Sequence, residues 1–214
     1  MPAFAGMTIM VLTLVIDTAT AACSVALIDD GRAVAERHEI VGRGHAERLL
    51  PMIADLPGGG RAAAILVDVG PGSFTGTRVG IAAARGLAIG WGVPVAGYAS
   101  TTLLAATEFA RDPVLDRLAV VLEGGHGEVF MQSFSRPLAA DTALSSRAPA
   151  AARALLDGRR AIGSGTAWLG DLADARPALP RAADAMLLPP ELRALPPTPI
   201  YGRPPDAVPQ SPRA

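Results

Sequence analysis

The residues of this chain whose types and spacing could do chemistry gather where apolar runs end. Asp17 closes residues 9–17, a short run dominated by Val, Leu and Ile, and Thr18 follows it. Asp68 lies in Ala64-Ile65-Leu66-Val67-Asp68-Val69, and Gly70-Pro71-Gly72-Ser73-Phe74-Thr75-Gly76 comes directly after. Glycines permit backbone angles and close approaches that a Cβ would block. The unpaired N–H groups of a helix opening after such a turn point beyond the sheet edge. Their partner is either an anion or the Ser73 or Thr75 hydroxyl acting as a cap. A Walker A loop needs a lysine before its Ser/Thr, and all 19 basic residues here are arginine. A dinucleotide fingerprint needs G-x-G-x-x-G and an acid about 20 positions on. Gly70, Gly72 and Gly76 miss that spacing by one residue, and no acid lies between Asp68 and Glu108. Asp68, inside an apolar strand, is expected to reach a backbone or arginine partner; a general base is the weaker reading.

The other reactive types are sparse. His38, His45 and His126 are scattered, none at metal-ligand spacing. Cys23, the single cysteine, excludes an internal disulfide and a four-cysteine zinc site, and its apolar surroundings predict a small buried hydrophobe. No metal and no cofactor is expected. The formal net charge of −1, with arginines spread along the chain, leaves no electrostatic footprint for nucleic acid. Half the residues are hydrophobic and 4% aromatic, so the core must be Ala, Val, Leu and Ile. Asp17 and Arg85 interrupt the two longest apolar stretches before the roughly 20 residues that a membrane span requires. No basic region precedes the first run, as a secretory signal would need. Reduced, cytoplasmic surroundings fit. Residues 1–8 are expected to be a disordered extension, with Met7 or Met10 as the biological start.

These residues need elements to position them. Residues 9–17, 23–28 and 33–41 predict three strands, the second and third joined by an Asp29-Asp30-Gly31 hairpin turn. Residues 45–56 predict a helix with Leu49, Leu50, Ile53 and Leu56 on one stripe. A strand at 64–69 leads to a helix over 75–91, where Gly76, Gly80, Ala84 and Ala88 form a small-residue ridge open to close backbone approach. Arg78 and Arg85 share another side. A strand over 93–98 and a Ser100-capped helix to 110 complete a βββαβαβα order. This is the ribonuclease-H-like lobe of the actin/heat-shock-chaperone/sugar-kinase architecture, an α/β fold with a mixed five-stranded sheet over residues 9–110. Strands at 118–122 and 129–134 flank a hairpin tip carrying His126, followed by loop plus helix to 160 and a strand at 161–165. Residues 111–188 thus predict a smaller, reduced second lobe. The proline-dense residues 189–214 predict an extended strap or a disordered tail.

In this order the motifs resemble the TsaB (YeaZ) family of the bacterial tRNA threonylcarbamoyladenosine pathway. The resemblance is carried by Ile16-Asp17-Thr18-Ala19-Thr20, Cys23-Ser24-Val25-Ala26-Leu27, Gly44-His45-Ala46-Glu47-Arg48-Leu49-Leu50-Pro51 and residues 70–80, and covers roughly residues 9–107. It implies a non-catalytic subunit that pairs with a TsaD-like catalytic paralogue, joins a TsaE-like ATPase, self-associates when alone and meets tRNA only through the complex. In TsaD two histidines four residues apart hold a metal; the matching stretch here, Gly97-Tyr98-Ala99-Ser100-Thr101-Thr102, has no imidazole. In the superfold a carboxylate at the position of Asp17 stands near magnesium and phosphate. The plainer reading of Asp17 is a turn capped through the N–H groups of Thr18 and Thr20. Asp17, Thr18, Gly70, Gly72, Ser73, Thr75 and Gly76 are therefore candidates for a vestigial phosphate loop. His45 is either a partner contact or a helix-start residue packed on its turn, near Glu47 at the positive helix end.

Few charges mark the two N-lobe helices, as a helix-on-helix subunit interface requires. The expected interface residues are His45, Leu49, Leu50, Ile53, Arg78, Ile81, Ala82 and Arg85. The rival reading is an ATP-dependent phosphotransferase of the same superfold, with Asp17, Thr18 and residues 70–76 around the phosphates.

Overall fold

The computed structural model describes residues 12–203. The reading of residues 1–8 as an extension lies outside the described residues. Eleven strands and four α-helices are named here in chain order. β1 (Thr13–Asp17), β2 (Ala22–Asp29), β3 (Arg32–Ile40), β4 (Ala64–Asp68) and β5 (Val95–Tyr98) form one sheet in the order β3-β2-β1-β4-β5. β1, β2 and β3 pair antiparallel, while β1-β4 and β4-β5 pair parallel. This is the mixed five-stranded sheet expected of a ribonuclease-H-like lobe.

α1 (His45–Ala54) and α2 (Phe74–Trp91) cover one face. Strand alternation sends Leu14, Ile16, Cys23, Val25, Leu27, Ile65 and Val67 to that side, against Leu49, Met52, Ile53, Ile81, Ala84 and Ala88 of the helices. Burying a Leu or Ile side chain there is worth about 1.5–3 kcal/mol. Ser73 starts α2, its Oγ accepting from the Gly76 N–H at 3.1 Å. Gly92 ends α2 in the left-handed region, where a Cβ would be strained.

The opposite face, Val15, Ala26, Ile28, Leu66 and Tyr98, is covered by α3 (Ser100–Arg111) and by the 3₁₀ segment Ala182–Leu187. Ala182, Ala185 and Leu188, expected with the second lobe, pack on the first because its sheet still has an open apolar face to fill. Ser100 is not the cap of α3. Ala99 occupies that position and makes no side-chain cap, while the Ser100 hydroxyl turns inward.

The second sheet runs β11 (Ala175–Arg176), β10 (Arg160–Ile162), β6 (Arg117–Gly125), β7 (Glu128–Ser135), β8 (Ala139–Ala140), with β9 (Ser145–Arg147) also paired to β7. α4 (Pro149–Ala154) packs on it through Ala152. The β6-β7 hairpin carries His126 at its exposed tip, at φ 53°. α3 serves both sheets: Leu103 and Ala106 face the first, Leu104, Ala105 and Phe109 the second.

Gly72 and Gly86 offer opposite tests of this packing. A Cβ at Gly72 would lie 1.9 Å from the Ala19 carbonyl oxygen, whereas one at Gly86 meets nothing within 4 Å. Gly72→Ala should cost about 2–3 kcal/mol of stability, and Gly86→Ala should add about 0.5–1 kcal/mol. Urea unfolding midpoints measure both; equal effects at the two positions would contradict the close approach.

Candidate functional site

The carboxyl ends of β1, β4 and β5 bring three polar side chains together in the interior. Asp17, Asp68 and Tyr98 each show 0% exposure. Tyr98 donates its hydroxyl to Asp17 Oδ2 at 2.9 Å, and the Ala19 N–H points at Asp17 Oδ1 from 3.4 Å. Asp17 therefore turns its own loop, as the plainer reading expected, though through Ala19 rather than Thr18 and Thr20. Asp68 accepts from the Gly70 N–H at 2.7 Å and from Ser100 Oγ at 2.8 and 2.6 Å. These are backbone and hydroxyl partners, with no arginine among them.

The two buried carboxyl groups stand at the ends of neighbouring strands and act on one another electrostatically. Burial pushes Asp68 well above the usual carboxylate range, and the charge of Asp17 pushes it the same way. Burial raises Asp17 too, against the lowering effect of its hydrogen bond to Tyr98. Two neighbouring carboxylates cannot both ionise cheaply in a dry site, and the bias toward the protonated form is stronger at Asp68. Burial likewise raises Tyr98, keeping its hydroxyl a donor.

The glycine loop is closed by the chain itself. The Ser73 N–H donates to Ala19 O at 2.6 Å, and Thr18 Oγ1 donates to Gly76 O at 2.7 Å. A Cβ at Gly76 would stand 2.2 Å from Thr18 O, and one at Gly80 2.3 Å from Thr18 Oγ1. The small-residue ridge thus exists to admit the β1-β2 turn. Of the loop candidates, Asp17, Thr18, Gly70, Gly72, Ser73 and Gly76 do converge, and the backbone of Thr18 and Ala19 packs directly on Gly72 and Gly76. Thr75 is exposed and has no such partner on the loop. Gly70, at φ 93°, also lies under residue 200: its Cβ would approach Ile200 O to 3.1 Å.

The expected interface residues separate into two groups. Leu49, Ile53, Ile81 and His45 are buried, between 1% and 4% exposed, and cannot meet a partner directly. Helical geometry turns them to the sheet; the His45 ring packs inward, Nε2 3.1 Å from Ala22 O. Leu50, Arg78, Ala82 and Arg85 do lie on the outside. With Phe74 and Ile89, 59% and 84% exposed, the α2 members form one stripe at 74, 78, 82, 85 and 89. Phe74 and Ile89 were missed, although the spacing of four, four, three and four residues is legible from Phe74 onward. Arg78 lies over the Phe74 ring at 3.6 Å. At the far end, Arg85, Ala88, Ile89, Gly92, Val93, Pro94 and Val95 line an open groove of about 600 Å³.

One charged cluster had no sequence signal. Glu108, fully buried, pairs with Arg176 and with Arg160 at 3.2 Å; Arg160 also reaches Asp112 and Asp174, both at 2.8 Å. Its members come from three distant segments. They tie α3 to β10 and β11 beside a cavity of about 450 Å³, where Arg111, 3.4 Å from Glu108, brings the guanidinium groups to three against three carboxyl groups.

Fold and site together define an α/β protein with a ribonuclease-H-like lobe whose glycine loop packs on its own β1-β2 turn. Residues 37–157 match the model of the family described as "TsaD: tRNA N6-adenosine threonylcarbamoyltransferase". The chain is 41% identical over 130 residues, 58% of its length and 54% of the relative's, to the tRNA threonylcarbamoyladenosine biosynthesis protein TsaB of Escherichia coli. Two solved structures from Pseudomonas aeruginosa are similar throughout. YeaZ superposes with TM-score 0.71 at 30% identity, covering 83% of this chain and 90% of that one. An uncharacterized protein with similarity to peptidase YeaZ superposes with TM-score 0.72 at 29% identity, covering 91% and 100%. The chain belongs to this family, in which TsaB, also called YeaZ, is the branch it resembles. It spans about half the length of the curated relatives it matches.

The raised Asp68 carboxyl group has a pH signature. A carboxyl group raised on folding contributes stability that is full below its unfolded value of 3.8 and lost as pH rises through its folded value. Asp68→Asn keeps the acceptor for Gly70 and Ser100 but does not titrate. The melting temperature of the variant relative to wild type should therefore climb as pH rises from 4 to 8. Parallel melting curves across that range would rule out a proton held by Asp68 in the folded state.

Proposed function

We propose that this chain is a non-catalytic adaptor and dimerisation subunit for synthesis of N6-threonylcarbamoyladenosine at position 37 of tRNA. It acts by binding a TsaD-like catalytic paralogue and a TsaE-like ATPase, forms a homodimer when alone, and meets tRNA only within the complex. Its place is the cytoplasm; among the described residues no helix is long and apolar enough to cross a membrane.

The observation that carries this reading is the glycine loop packed on its own β1-β2 turn. A phosphotransferase of the superfold needs open N–H groups for phosphate, and here the Ser73 N–H is spent on Ala19 O while Thr18 O presses on Gly76. The Asp17 and Asp68 carboxyl groups are fully buried and engaged by Tyr98, Ser100 and Gly70, so neither faces a substrate. What the lobe offers outward is the stripe of Phe74, Arg78, Ala82, Arg85 and Ile89 beside Leu50: apolar, with two cations and no acid. Exposed apolar area of this kind, rimmed by arginine, suits a protein partner.

Two measurements test the reading. Titrating Mg-ATP into the purified chain should give no heat; micromolar binding with turnover would favour the phosphotransferase instead. Cells lacking the chain should lose threonylcarbamoyladenosine from their tRNA, as read by mass spectrometry of nucleosides. Wild type should restore it, and Ala82→Glu with Ile89→Glu should not. Full restoration by that folded double variant would remove the stripe from the function.

A further inference from the structure

Residues 195–203 run as a strap across the carboxyl end of the first sheet. Leu195 exchanges two backbone hydrogen bonds with Gly97, at 2.7 and 3.0 Å, and the Ile200 N–H donates to Val69 O at 2.7 Å. Pro196, Pro197 and Pro199 have no N–H to satisfy, which makes the segment stiff and undemanding of partners. Leu195 and Ile200 pack half-buried against the core of the first lobe, but no strap residue is fully buried. The strap backbone makes only three hydrogen bonds to the sheet, so it is held less firmly than the strands it crosses.

Its other holds come from α2 and β7. Arg85 donates to Pro197 O at 2.7 Å, and Arg78 donates through Nε and a terminal nitrogen to the Tyr201 hydroxyl at 3.2 and 2.8 Å. Those two guanidinium groups are the only charged side chains in α2, and both lie in its outer stripe. Beyond them Arg203 pairs with Glu128 of β7 at 3.7 Å. Gly202 sits against Phe130 so closely that a Cβ would come within 2.3 Å of the ring. The strap therefore joins the first lobe to the second through the same arginines that mark the outer face of α2.

We propose that the strap is a releasable clasp: a protein face with carboxylates opposite Arg78 and Arg85, docking on the outer stripe of α2, takes both guanidinium groups and frees residues 195–203 from the sheet end. The inference rests on the docking reading above. A carboxylate offers each arginine a charge-assisted, two-pronged partner, stronger than the carbonyl and phenol oxygens it now holds. Release would open the backbone of Val69 and Gly97, which adjoin Asp68 and Tyr98, to water.

Hydrogen exchange on the full chain, alone and in its co-eluting complex with the catalytic paralogue, tests this. The Gly97, Leu195 and Ile200 amides should be protected in the chain alone and exchange at least about tenfold faster in the complex. The β1-β2 amides should not change. Co-elution with the strap amides still protected would overturn the clasp and leave the docking reading standing. Absence of co-elution would overturn both. Tyr201→Phe keeps the ring and removes the acceptor of Arg78, so it weakens the strap without altering α2. It should tighten binding of the paralogue at least about fivefold, since both hydrogen bonds from Arg78 to that hydroxyl are lost. Unchanged or weaker binding would count against competition for the arginines.

Discussion

The turn between β1 and β2 lies directly on the glycine ridge of α2, and most of the first lobe takes its geometry from that contact. Thr18 and Ala19 can reach Gly72, Gly76 and Gly80 only because no Cβ stands between them. The approach is fixed by two hydrogen bonds, Ser73 N–H to Ala19 O and Thr18 Oγ1 to Gly76 O. It sets how close α2 lies to β1 and how α2 is rotated about its axis. That rotation buries Ile81, Ala84 and Ala88 and turns Phe74, Arg78, Ala82, Arg85 and Ile89 outward. A loop with the composition of an anion cradle thus serves as a packing joint.

Beneath that joint, the ends of three parallel strands converge on Asp17, Asp68 and Tyr98. Taking carboxyl groups out of water is costly unless every polar atom finds a partner. Here one phenol, one serine hydroxyl and two backbone N–H groups meet that need. The cluster binds β1, β4 and β5 to the start of α3, which is why Ser100 turns inward rather than capping its helix. α3 in turn joins the two sheets, with apolar residues on both sides and Glu108 anchored to Arg160 and Arg176 at its far end. The lobes are thus coupled by a shared helix and, across the opposite end, by the strap.

Strand alternation in 13–17 and 22–29 and the ridge at Gly76, Gly80, Ala84 and Ala88 were legible in the sequence because they express local periods of two and four. So was the Ser73 hydroxyl as a cap of α2, left open beside an anion as one of two readings. The direction faced by α1 was not. Leu49, Leu50 and Ile53 look equivalent on a helical stripe, but two pack on the sheet and one faces outward. A stripe gives an apolar arc without its centre, and the centre is set by where the sheet lies.

By itself, the sequence determined the order and kind of the elements of the first lobe, the family they belong to, and the burial of Cys23. These follow from periodicity, glycine chemistry and motifs contiguous along the chain. Only the tertiary structure decided which helix residues face outward, that Asp68 meets Ser100 rather than an arginine, and that Glu108 is held by Arg160 and Arg176. It also decided that residues 195–203 return to Val69 and Gly97. Each of these contacts joins residues tens of positions or more apart, where the energy lies in burial and charge pairing that no local pattern encodes.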